Sequence, residues 1–307
     1  GPAGTPAPAL ESFGAAPAEA PAAAPAVEAP VAAAPVAEAL RGEMLRRTAE
    51  AEKYSSELHK TPVADETVEE PVQEERSPKE QAIYDYYHTG KAGKLRVMSS
   101  MFYEDEIPVP TLFRSFNDMP VQEQKAIELC RGRVLDVGAG SGCHSVVLKE
   151  RGFDVVAIDI SQLSVDVMTE RGLNAMNVNY FDETFVEKFD TLLFAMNGIG
   201  IVGKVERLDL FFRAARRLLA PGGQLLLDSS DISYVFTDDD GSMDIDLAAG
   251  YYGEIDYKMR YKNINGEPFD WLYIDFDTLS MYAEEHGFRC EKCVDGEHYD
   301  YLAALYL

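Results

Sequence analysis

The chain has 307 residues, 46% of them hydrophobic, and sets 28 Lys and Arg against 53 Asp and Glu, a net charge of −25. A field of that sign repels phosphate backbones and anionic lipid, so neither nucleic acid nor a membrane surface is an expected partner. No apolar run suits a bilayer span, no secretory or transit pattern opens the chain, and four scattered cysteines make no disulfide framework, so a reducing cytoplasm is the expected setting.

Residues 1–40 hold 17 Ala and 8 Pro, a composition that cannot bury a core. Residues 41–60 favour a sparse, solvated helix, and 61–77 return to an acidic, Pro-punctuated linker. Residues 1–76 therefore read as a low-complexity, disordered arm, either a plain linker or a tether to another protein. Order is expected from "SPKE", where Ser77, Pro78 and Glu80 spell a capping box with proline in the first turn. That helix should stop near Gly90, and a second one, "EQKAIELC", leads into Arg133. Segment 77–131 thus reads as a helical cap on a domain spanning 77–307.

From Arg133 strands and helices alternate. Strands read at "RVLDV", "DVVAI", "NAMNV", "DTLLFAM" and "QLLLD". Helices read at 143–151, 161–171 and 205–219, with Gly152, Gly172 and Gly222 just beyond their ends. This predicts an α/β, Rossmann-like doubly wound fold, its seven-stranded sheet mainly parallel with helices on both faces. "GEIDYKMRYK" and "FDWLYID" around "NINGEP" predict a hairpin, followed by a helix at 277–286 and strands at "RCEKCV" and "YLAALYL".

The stretch "VLDVGAGSGCHS", Val134–Ser145, carries the chemistry. Glycines between a buried strand and a helix start let the backbone approach a ligand. Amides at the helix start suit a negative group. Asp159, at the end of the next strand, is placed to accept from ribose hydroxyls. The loop resembles that of the class I S-adenosylmethionine-dependent methyltransferases, as do "VVAIDIS" and "RRLLAPGGQLLLD". "IPVPTLFR", "MNGIGIVG", "DSSDISY" and "YYGEI" extend the likeness to a bacterial branch acting on small molecules.

The resemblance implies S-adenosyl-L-methionine as cofactor and methyl transfer to a small-molecule acceptor. It implies Asp136 and the backbone of Gly138, Ala139, Gly140 and Gly142 at the methionine part, and Asp159 at the ribose with Ile160 beside the adenine. Asn179 with Tyr180, or else Asp182, would stand at the adenine edge, and Asn197 near the sulfonium. His144 is either a general base or a residue packed beside the cofactor. Asp231 and Tyr234 are candidates at the acceptor, alongside Asp228 and Ser229. Cys290 and Cys293 lie three apart on a strand and point to opposite faces, so zinc is not expected. The acidic run Asp238–Asp246 reads as a solvated loop before a cation site. Two rival readings use the same sequence: a nicotinamide-dependent oxidoreductase, and a non-catalytic cofactor-binding scaffold.

Overall fold

The computed structural model describes residues 77–236, 250–297 and 299–307. The Ala/Pro arm, the helix expected over 41–60 and the Asp238–Asp246 run lie outside the described residues.

The first helix, α1 (Pro78–Thr89), has proline in its first turn and ends on Gly90 in the left-handed region, φ 69°. Ser77 has the extended backbone of a cap, but its hydroxyl makes no capping bond. Glu80, which a capping box would turn back to Ser77, instead lines a cleft. Next come β1 (Leu95–Met98), β2 (Asp105–Ile107) and α2 (Val121–Leu129). Segment 77–131, expected to be helical, therefore also supplies two strands.

The alternating region follows as β3 (Arg133–Val137), α3 (Cys143–Glu150), β4 (Asp154–Asp159), α4 (Gln162–Glu170), β5 (Asn174–Asn177), β6 (Phe189–Phe194), α5 (Leu208–Leu218) and β7 (Leu219–Ser230). The chain ends with β8 (Glu254–Tyr261), β9 (Ile264–Asn265), β10 (Phe269–Leu272), α6 (Phe276–Glu285), β11 (Arg289–Asp295) and β12 (Asp300–Tyr306). Gly152 and Gly172 terminate α3 and α4 as expected, each with positive φ. Gly222 does not end α5. Leu219 leaves the helix in an extended conformation and pairs with Phe189, so helix passes directly into strand and Gly222 lies within β7.

Seven strands form one sheet in the order β11-β12-β7-β6-β3-β4-β5. The pairs among β3 to β7 are parallel, and β12 runs antiparallel between β7 and β11. Strand alternation sorts its side chains into two cores. Leu192, Leu225 and Leu227 pack with Phe211, Phe212 and Leu218 of α5. Their neighbours Leu193 and Leu226 pack on the other face with Ile127 of α2 and Leu148 of α3. Burying a leucine or phenylalanine is worth about 1.5–3 kcal/mol, so this two-faced pattern fixes the sheet between its helices.

A second, antiparallel sheet runs β10-β8-β1-β2, with β9 on β8. One face carries Val97, Tyr257, Met259, Phe269 and Trp271 at alternate positions; the exposed Arg96, Asp256, Lys258 and Arg260 point the other way. The apolar face covers the carboxyl ends of β3 and β4, where ligands of such sheets bind.

Candidate active-site cleft

Between the two sheets lies a cavity of about 1250 Å³. Its floor is the glycine loop after β3. Gly138, Gly140 and Gly142 all have positive φ, 68°, 59° and 78°. The amides of Gly138 and Ala139 donate to Ile158 O at 2.9 and 3.1 Å, which ties the loop to β4. A Cβ on Gly138 would meet nothing within 4 Å, whereas one on Gly142 would lie 2.5 Å from Leu173 Cδ1. Gly138, Ala139 and Gly140 line the cleft. Gly142, expected there too, faces Leu173 and Met168 and serves packing beneath the loop.

Asp159 ends β4 with its carboxylate on the cleft wall. Oδ2 accepts from Gly140 N and Oδ1 from Ser161 N, both at 2.9 Å. Each oxygen keeps a second lone pair for a ligand hydroxyl. Ile160 beside it is 76% exposed, an apolar plate at the cleft edge. Asp136 lines the floor, accepts from Ser145 Oγ at 2.7 Å, and has its pKa raised by burial.

Five expected residues sit elsewhere or are spent otherwise. Tyr180 borders the cleft but is 3% exposed, its hydroxyl donating to Phe211 O at 2.9 Å and its ring packed on Phe194. Asn179 reaches the cleft edge, its Oδ1 accepting from Phe181 N; Asp182 caps a turn at Thr184 and does not line the cavity. Asn197, left-handed at φ 54°, donates from Nδ2 to Leu272 O and accepts from Ser229 Oγ at 2.7 Å. It pins β6, β7 and β10 together with its side chain off the cavity wall. Asp231 accepts from Tyr252 Oη and Ser233 N, both at 2.9 Å, and likewise does not line the cavity. Tyr234 does line it, stacked on Tyr299 at 4.7 Å.

His144 lines the cleft at 3% exposure, and its Nε2 lies 2.7 Å from Glu123 Oε2. Glu123, 4% exposed, also receives Arg114 through Nη2 at 2.5 Å. Burial works against the charge on His144, but Cys143, Glu123 and Asp136 outweigh it and hold its pKa well above 6.5. Burial alone would raise Glu123, yet His144 and Arg114 hold it below 4.5. The charged pair leaves His144 engaged rather than free as a base. Neither Arg114 nor Glu123 was found from the sequence, because nothing local marks them as partners of a histidine 21 or more residues on.

Behind this network Asp228 is buried, and burial pushes it up to about 7 against two bonds from Asn197 N. A carboxyl raised in the folded state binds its proton more tightly than the unfolded chain, so stability falls as pH rises through the interval up to about 7. Asp228→Asn is expected to flatten that decline, read as chemical-denaturation midpoints at pH 4.5, 6 and 7.5. A decline unchanged in the variant would assign it to other groups.

Sequence reasoning also missed Glu80 and the roof. Glu80 Oε2 is buried and accepts no hydrogen bond among the described residues. Ile83, one turn further along α1, reaches to within 3.8 Å of where a Gly140 Cβ would stand. Trp271 packs against Gly200, where a Cβ would meet its Nε1 at 2.0 Å. The aromatic alternation "YKM" and "FDWLY" was present, but only the pairing of distant strands turns it toward the cleft.

Residues 134–223 match the model of a methyltransferase domain family. A solved methyltransferase of Bacteroides fragilis, described as S-adenosylmethionine-dependent and in complex with S-adenosyl-L-homocysteine, is 56% identical. The match covers 75% of this chain and 94% of that one, with a TM-score of 0.71. The chain belongs to the S-adenosylmethionine-dependent methyltransferases. That membership sets aside the nicotinamide reading. Cypemycin N-terminal methyltransferase of a Streptomyces species is 34% identical over 102 residues, 32% of this chain and 42% of that protein. A ubiquinone biosynthesis O-methyltransferase of Xanthomonas oryzae is 26% identical over 148 residues, 47% of this chain and 62% of that protein. The chain thus spans less than two thirds of both curated relatives. For this methyltransferase the residues fit the family's cofactor: the loop leaves open space above Gly138, Asp159 presents lone pairs, and Glu80 offers a buried acceptor. No helix among the described residues is long and apolar enough to cross a membrane.

Proposed function

We infer that this chain transfers the methyl group of S-adenosyl-L-methionine to a small-molecule acceptor held under the antiparallel roof. The carrying observation is the pairing of the Gly138–Gly140 turn with Asp159 on one wall of a cavity closed by a second sheet. When bound, the cofactor supplies an electrophilic methyl on a sulfonium. The chain's own residues orient and exclude water. Asp159 and the loop backbone fix one reactant, the roof fixes the other, and most of the rate comes from that alignment.

On this reading residues 77–307 are the methyltransferase domain and residues 1–76 an arm outside it, serving as linker or tether. The described cysteines are free thiols, which supports a reducing, cytoplasmic setting. Calorimetric titration with S-adenosyl-L-homocysteine, followed by radiolabelled methyl transfer to an acceptor panel, tests the reading. Gly140→Val is the internal control. Its φ of 59° disfavours a β-branched residue, and the side chain would fill the floor, so cofactor binding should be lost in a folded chain. Binding without turnover across the panel would favour the scaffold reading.

A further inference from the structure

The curated relatives are named for an N-terminal and for an O-methyl transfer, and their matches cover less than half of this chain. The acceptor class has to be read from the cavity. On its roof Tyr257 and Tyr273 stand with ring centroids 6.5 Å apart and hydroxyls 3.1 Å apart. Phe269 meets Tyr257 at 6.1 Å and Trp271 at 6.2 Å, the latter edge to face. One proton of the hydroxyl pair is spent within the pair, and lone pairs remain to accept from a ligand.

Charge on the lining is one-sided. Asp105 has no cationic partner among the described residues and accepts only from Glu106 N. Glu80 Oε2, buried and without a hydrogen bond among the described residues, is the acceptor already set toward the cofactor. Of the lining cations, Arg207 donates to Val202 O and lies over the Phe181 ring at 5.3 Å. With His144 held by Glu123, that leaves Lys79, beside Glu80 in the first turn of α1, as the remaining lining cation among the described residues. An anionic acceptor would meet the exposed, unpaired carboxylate of Asp105 and aromatic faces, which repel it. A cation is attracted by both.

We propose that the acceptor is a basic amine on an aromatic or apolar body, bound with its nitrogen against Asp105 and the Tyr257–Trp271 roof. This rests on the methyltransferase reading above. The amine enters as an ammonium and gives one proton to water or to a lining carboxylate. Its lone pair then forms the N–C bond with the methyl carbon as the C–S bond breaks. The bonding pair stays on sulfur, which becomes a neutral thioether, and the nitrogen takes up the positive charge. An aliphatic alcohol must shed a proton of far higher pKa at the moment of attack, and the imidazole on the described lining, His144, is already engaged by Glu123.

The test uses the full chain saturated with S-adenosyl-L-homocysteine and two matched series. These are tryptamine, tryptophol and indole-3-propionate, and phenethylamine, 2-phenylethanol and 3-phenylpropionate. Affinity is read by thermal shift, and transfer with labelled S-adenosyl-L-methionine. In at least one series the amine should bind at least tenfold more tightly than its alcohol and acid, and only the amine should take label. Asp105→Asn should weaken amine binding at least fivefold and leave S-adenosyl-L-homocysteine affinity within twofold. Trp271→Ala should do the same if it melts like the parent. Equal or tighter binding of the acid or alcohol in both series overturns the proposal, as does no amine binding or an Asp105→Asn variant with unaltered amine affinity. A parent chain that fails to bind S-adenosyl-L-homocysteine takes down the methyltransferase reading itself, a separate and visible result.

Discussion

Replacing Glu123 by alanine lowers the melting temperature by about 6–20 °C at neutral pH. The carboxylate lies between Arg114 and His144, 2.5 and 2.7 Å from its neighbours, and none of the three side chains is more than 10% exposed. Removing it leaves two buried cations facing each other, at a cost of about 3–5 kcal/mol. In a domain of this size each kcal/mol moves the midpoint by about 2–4 °C. The pH dependence adds a second readout. Glu123 has a lowered folded pKa, so its contribution is present above 4.5 and lost as pH falls through the folded value. His144 has a raised one, so its contribution is full below 6.5 and lost as pH rises through a value well above that. The deficit of Glu123→Ala should be widest between those limits and shrink in acid. A constant deficit down to pH 3 would mean that shape, not charge, accounts for the loss. Glu123→Gln, which keeps the shape, should sit between parent and alanine.

Asp159→Ala weakens S-adenosyl-L-homocysteine binding at least tenfold. The carboxylate is the acceptor best placed for ribose hydroxyls, and charge-assisted hydrogen bonds of this kind contribute about 1.5–3 kcal/mol. It also holds the amides of Gly140 and Ser161, so the loop itself loosens when it goes. The two effects separate by calorimetry and melting: Asp159→Asn keeps an oxygen for one amide and should recover stability more than affinity. A folded alanine variant with unchanged affinity would remove Asp159 from the cofactor site.

The cofactor wall was legible in the sequence because its signal is local. Strand, glycines and helix start follow one another from Val134 to Ser145, and Asp159 closes the next strand. Side-chain direction was less legible. Tyr180 and Asn197 stand where the family places cleft residues, but Tyr180 turns into a cluster of phenylalanines, and the left-handed backbone of Asn197 aims its amide at Leu272. The roof was not legible at all. β1 and β2 are four and three residues long, carry no hairpin signature between them, and acquire a face only by pairing with β8. The Arg114–Glu123–His144 network fails to show for the same reason: three elements meet, and no spacing within one of them announces it.

The pairing of β1 with β8 sets Leu95 opposite Tyr261, so the roof waits on the order of synthesis. A ribosome takes roughly 8–30 s to travel the intervening stretch. During that time the glycine loop and Asp159 have already emerged, while Val97 on β1 has no Met259 to face. A nascent chain can therefore hold the glycine loop and Asp159 before the strand that covers them has been made. Over that interval the edge of β1 that β8 will cover is unpaired, a surface open to a folding helper.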